Sequence, residues 1–351
     1  MLTNQQSLSL RYAQGLGMIA VVLGHYGIVP PYIFSPYTFH MPLFYLLGGI
    51  LFKETSLLKT IKSITVKHLW YIVYTYLIIS AIAILINHYF GISTGDIYKS
   101  GPLSSIENTF KRNFHNNGFF LVAWFLFSYA LVSLLSRIVL YIKQEALVLS
   151  IALVLGLVGM DYVSQLYTET SNQAYNLLTQ VLVGSMFYLI GYVFKGTLLS
   201  IKSLYIPLIS IAAIFTMKNY GVLGGLLMSW SKYPQGFFFH TLSSLLCICT
   251  VLAITNAAAI QDKKLNLLAL IGSESKVIMS YHLLSFSVID IFFYQLGMYD
   301  IKNASYLHHY STPLYWFLYI LAGIALPIIT SGALNAIKNR EASSLWKKYK
   351  L

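Results

Sequence analysis

Apolar runs of the length needed to cross a bilayer recur from one end of this 351-residue chain to the other. A helix needs about 20 predominantly apolar residues to cross a hydrocarbon core of ~30 Å. About ten such runs stand near 13–29, 37–52, 69–90, 119–141, 146–160, 179–194, 203–217, 237–256, 277–297 and 312–333. Only 10% of the residues are charged, against roughly 25% in an ordinary soluble domain. Glycines within the runs and Pro327 favour helices, and the polar–apolar alternation of a β-barrel is absent. No internal repeat or low-complexity tract divides the chain. The expectation is an all-α polytopic membrane protein of about ten transmembrane helices, one integral domain over residues 1–351.

The net charge of +12 would suit a nucleic-acid partner if it were clustered, but it is partitioned instead. With the N-terminus inside, the inner segments hold 17 basic residues, among them Arg11, Lys53, Lys59, Lys67, Arg137 and the C-terminal cluster. The outer loops hold six: Lys99, Lys111, Arg112, Lys218, Lys232 and Lys302. This positive-inside bias predicts cytoplasmic termini and a lipid rather than a nucleic-acid partner. The first ten residues are polar and no small-residue cleavage site follows the first run, so an uncleaved segment is expected. Cys247 and Cys249 lie inside a run and frame neither a disulfide scaffold nor a metal site.

The first run, LRYAQGLGMIAVVLGHYG, carries Arg11 at its start and His25 deep inside. On a helix they stand ~21 Å apart along the axis and within about 40° of the same face. An ionisable group kept in a bilayer marks a functional site by default.

Four patches, in order, resemble the acyltransferase-3 family of bacterial membrane O-acyltransferases, especially its fucose 4-O-acetylase-like branch. QGLGMIAVVLGH (14–25) is similar to the family's opening span and its histidine. FHMPLFYLLGGILFK (39–53) is similar to the His-x-Pro-Leu-Phe start of the second span. AWFLFSYALVSLL (123–135) and SYHLLSF (280–286) resemble its Trp-Phe-Leu span and a late span with a histidine. The family places a cation eleven residues before the first histidine, and here that position is Gln14, with Arg11 one turn earlier. The resemblance implies ten spans in a bacterial inner membrane, and acetyl transfer from acetyl-CoA to a carbohydrate hydroxyl of a surface polysaccharide or its lipid-linked precursor.

Such a transfer needs a base near neutrality for the hydroxyl, donors for the oxyanion and cations for the carrier's phosphates. His25 suits the base, or else a relay that itself accepts the acetyl group. His40, joined to His25 by a short loop with Pro30, Pro31 and Pro36, either orients the acceptor or sits hydrated at the interface. Asp290, the clearest acid within a run, either sets the tautomer of a catalytic histidine or pins two helices together. His282 reads as near the inner end of its span, with Asp290 about 12 Å deeper. Arg11, Gln14, Trp124 and His282 are the expected substrate contacts, and Lys53, Lys59 and Arg137 the expected acetyl-CoA contacts. The lysines between residues 53 and 68 read equally as positive-inside topology over anionic lipid. His308 and His309 are adjacent and point apart, so no metal is expected there. A lipid-linked-sugar flippase would share the span count, but would show repeats and matched broken helices.

Overall fold

The computed structural model describes residues 2–26, 35–97, 102–261, 265–310, 312 and 314–348, with side chains omitted at 102, 103 and at most positions beyond 334. Pro30 and Pro31, Lys99 and the basic side chains near the C-terminus lie outside the described residues.

The chain is helical, and among the described residues only isolated β-bridges interrupt that pattern. Helix α1, Asn4–His25, starts with a capping box: Gln6 N donates to Thr3 Oγ1 (3.1 Å) and Thr3 N to Gln6 Oε1 (3.0 Å). It stops at Tyr26, whose backbone is extended. Helix α2, His40–Ile50, follows, and then α3, Leu57–Phe90. A short helix α4, Pro102–Lys111, lies in the long segment between α3 and α5. Then come α5, Gly118–Val139; α6, Glu145–Thr170; α7, Gln173–Val193; α8, Tyr205–Asn219; and α9, Gly236–Ile260. The chain closes with α10, Asn266–Ser273; α11, Ser275–Gln295; and α12, Trp316–Lys348.

Seven helices among the described residues are long and apolar enough to cross a membrane: α3, α5, α6, α7, α9, α11 and the Trp316–Leu334 part of α12. The other three expected runs are helical but different in kind. Helix α1 is polar in its first turns, and α8 has 15 residues. Helix α2 has 11 residues, a rise of ~16 Å, and every one of them is buried. It is therefore a core helix inside the bundle rather than a lipid-facing span. Its two glycines make this possible. A Cβ at Gly49 would collide with the carbonyl oxygen of Tyr188 on α7, and one at Gly191 with that of Leu46 on α2. The two backbones thus meet with no side chain between them, the close approach that small residues permit in membranes. The lipid side is apolar: Trp70, Leu77 and Leu85 of α3 project outward.

The described residues of the segment between α3 and α5 pack against the bundle. Asn113 donates to Gln180 Oε1 (3.0 Å) and Asn117 to Ser80 Oγ (3.0 Å), both buried.

Candidate active site

Helix α1 ends on His25, and the 3-10 turn Pro36–Thr38 leads straight into His40 at the start of α2. Tyr37 lies between them, edge-on to His40 (ring centroids 5.2 Å) and to His25 (6.4 Å). Its hydroxyl donates to the Gly24 carbonyl (2.7 Å), tying the turn to the end of α1. His25, Tyr37, His40 and Trp124 line one chamber of about 30 Å³ with Phe125 and Met279, room for about one water molecule. Trp124 reaches it from the first turn after the Gly118–Phe120 3-10 segment, its ring 5.9 Å from that of Phe125.

The partner of His25 is His282. Nδ1 of His282 lies 2.8 Å from the Met279 carbonyl and 3.1 Å from that of Ile278, so it carries the proton and donates. Its Nε2 is then an acceptor, and stands 3.2 Å from His25 Nδ1. His25 Nδ1 also lies 3.0 Å from the Val21 carbonyl. The only consistent assignment protonates His25 at Nδ1, shared between the two acceptors, and leaves Nε2 with the lone pair that a base requires. His40 follows the same rule: Nδ1 donates to the Pro36 carbonyl (2.5 Å), leaving its Nε2 free to accept.

The sequence reading set His25 and His282 at different depths, which the structure corrects. Helix α10 packs its Gly272 against the backbone carbonyl of Arg11, which sets α11 beside α1 and brings His282 to His25. Counting from span edges therefore misplaces His282.

Asp290 sits elsewhere. Its carboxylate accepts from His309 Nδ1 (2.7 Å), the Tyr319 hydroxyl (2.7 Å) and the Tyr310 backbone N–H (3.0 Å), all inside the protein. The histidine whose tautomer it sets is His309, not His25. Phe286 stands between the two groups, edge-on to His309 (5.1 Å) and to His282 (5.9 Å).

Two larger cavities flank the chamber. One of about 690 Å³ is lined by Asp161, Gln165, Ser231, Lys232 and Tyr233, and shares Tyr37 with the chamber. A hydrogen bond from Phe237 N to Asp161 Oδ1 (2.8 Å) fixes that carboxylate at the start of α9. The other, about 190 Å³, opens toward the basic end, is lined by Gln14, His68, Tyr129 and Lys276, and shares Phe125 and Met279 with the chamber.

Of the expected substrate contacts, Trp124 and His282 meet at His25, and Gln14 lines the basic-side cleft. Arg11 is exposed and lines none of these cavities. Lys53 and Lys59 are exposed and stand outside the cleft. Arg137 is buried, its guanidinium over the rings of Tyr141 (4.5 Å) and Phe52 (5.8 Å), and it too is absent from the cleft wall. The sequence reading assigned no individual site role to Tyr37, Lys276, His68 or Asp161. The weak local signal for Tyr37 was its place three residues before His40. Cys247 and Cys249 are free thiols, and no group of three metal-ligating side chains occurs among the described residues.

Among the described residues, apolar helices long enough to cross a membrane surround a paired imidazole, the architecture of a multi-pass membrane protein. A family model described as an acyltransferase domain, acyltransferase-3, matches residues 7–332. The chain belongs to that family and is a membrane acyltransferase. No curated protein and no solved structure matches it.

Proposed function

We propose that this protein is a membrane O-acetyltransferase of the bacterial inner membrane, its basic end and termini cytoplasmic. It takes an acetyl group from acetyl-CoA and passes it to a sugar hydroxyl of a cell-surface polysaccharide or its lipid-linked precursor. The observation that carries this reading is the His25–His282 pair in a small chamber that shares walls with a cavity on each side. The donor enters from the basic-side cleft and the acceptor from the outer cavity, whose lining of hydroxyl, amide and carboxylate groups suits a carbohydrate.

His25 Nε2 removes the proton as the acceptor oxygen attacks the thioester carbonyl. The carbon–oxygen bond forms, the carbon–sulfur bond breaks, and the leaving thiolate recovers the proton from His25. While His25 is an imidazolium, its Nδ1–H bond to His282 Nε2 becomes charge-assisted and stronger. His40, with a free Nε2 in the same chamber, orients the acceptor hydroxyl, and Trp124 gives its ring a face to stack on. The fucose 4-O-acetylase-like opening of α2 supports a sugar as the acceptor.

The test is acetyl transfer from labelled acetyl-CoA by purified protein, paired with mass analysis of surface glycan from cells with and without it. His25→Ala should lower the rate by 10²–10⁴ in protein that is still made and inserted. Unchanged glycan acetylation in that variant would refute the assignment.

A further inference from the structure

The basic-side cleft holds a half-buried cation that acyl transfer at His25 leaves without a role. Lys276, at the start of α11, is the one cationic side chain among the described residues lining that cleft. Its Nζ donates to the Lys67 carbonyl (2.6 Å) and lies 3.6 Å from the centre of the Tyr71 ring. An ammonium carries three donors, so two remain after that bond. None of the described carboxylates forms an ion pair with it. A cation taken partly out of water with no anion beside it is costly, and a ligand that brings the anion removes the cost.

Its neighbours point the same way. His68 lines the cleft from a widened π turn, Thr65–Leu69, and its buried Nδ1 has no hydrogen-bond partner. Such turns recur at functional sites. The Gln14 amide lines the same cleft. One turn along α11 from Lys276 comes Met279, the wall shared with the His25 chamber, and His282 follows three residues later.

We propose that Lys276, assisted by His68 and Gln14, is the donor's anion anchor: it seats the phosphate groups of a nucleotide-linked acyl thioester while the acyl arm passes Phe125 and Met279 to His25. The anchor rests on the reading of this cleft as the donor's entrance. Lys276 touches the carrier, not the reacting atoms, and is a positioning residue.

The experiment is equilibrium binding of CoA, and separately of pantetheine, which lacks the phosphates, to the purified full-length protein in detergent. Losing a charge-assisted contact should weaken CoA binding about tenfold in Lys276→Gln, leave pantetheine unchanged, and be largely restored by Lys276→Arg. CoA binding within twofold of the parent would overturn the anchor. Equal weakening for CoA and pantetheine would also overturn it, because Lys276 would then only staple α11 to α3. A variant that loses co-purifying phosphatidylglycerol but keeps CoA affinity would give the seat to a lipid headgroup and overturn the donor role. Binding is read without turnover: a parent that binds CoA but transfers no acetyl overturns the reaction and not the anchor. One that binds no CoA overturns the anchor.

Discussion

Replacing His282 by leucine tests whether the second imidazole acts through the first. The variant keeps the volume of the site and removes the Nε2 acceptor that stands 3.2 Å from His25 Nδ1. His25 keeps its bond to the Val21 carbonyl at 3.0 Å, so its orientation survives. In the resting enzyme the lost bond joins neutral groups and is worth about 1 kcal/mol. In the transition state His25 is becoming an imidazolium, and the same bond rises to ~1.5–3 kcal/mol. Only the difference, ~0.5–2 kcal/mol, raises the barrier, which gives a fall in kcat of about twofold to thirtyfold. KM for acetyl-CoA should stay within twofold, because His282 touches neither flanking cavity. His282→Gln, which retains an acceptor, should recover part of the loss. The assay is steady-state acetyl transfer by purified variants with matched thermal unfolding. A fall of a thousandfold would mean that His282 is itself the base, and no change would mean that the pair is packing alone. Either result refutes the tautomer argument.

Two further substitutions separate structural from chemical roles. Asp290→Asn removes the charge that three donors share and places an amide against His309 Nδ1. We expect about 3 kcal/mol lost from a buried pair, read as a lower Tm, with kcat at least a tenth of the parent's. A hundredfold fall in kcat at an unchanged Tm would return Asp290 to the catalytic centre. Gly191→Leu drives a side chain into the Leu46 backbone, and should separate α2 from α7, moving His40 and abolishing stable folding in detergent. A monodisperse variant with the parent's Tm would show that the close approach is not required.

Helical class and membrane character were legible because hydropathy and charge asymmetry act along the whole chain and need no tertiary contact. The nearness of His25 and His40 was also within reach, since they lie only 15 residues apart in the sequence; nothing local brought Trp124 to them. What hydropathy cannot distinguish is a span from a buried core helix. FHMPLFYLLGGILFK is as apolar as its neighbours, yet two glycines bring α2 against α7 and bury it on all sides. The same limit hid the partner of Asp290. His309 lies 19 residues away, across a loop, where neither the helical nor the strand period carries information.

Lys276 shows a different limit. On a positive-inside map every inner lysine looks alike, and the contacts expected for a carrier's phosphates include the exposed Lys53 and Lys59. Burial separates them: an exposed ammonium is hydrated and needs no partner, whereas one drawn over an aromatic ring at a cleft has exchanged water for a single carbonyl. Charge position along the chain reports topology; what singles out Lys276 is burial together with a place on the cleft wall, which the more deeply buried Arg137 lacks.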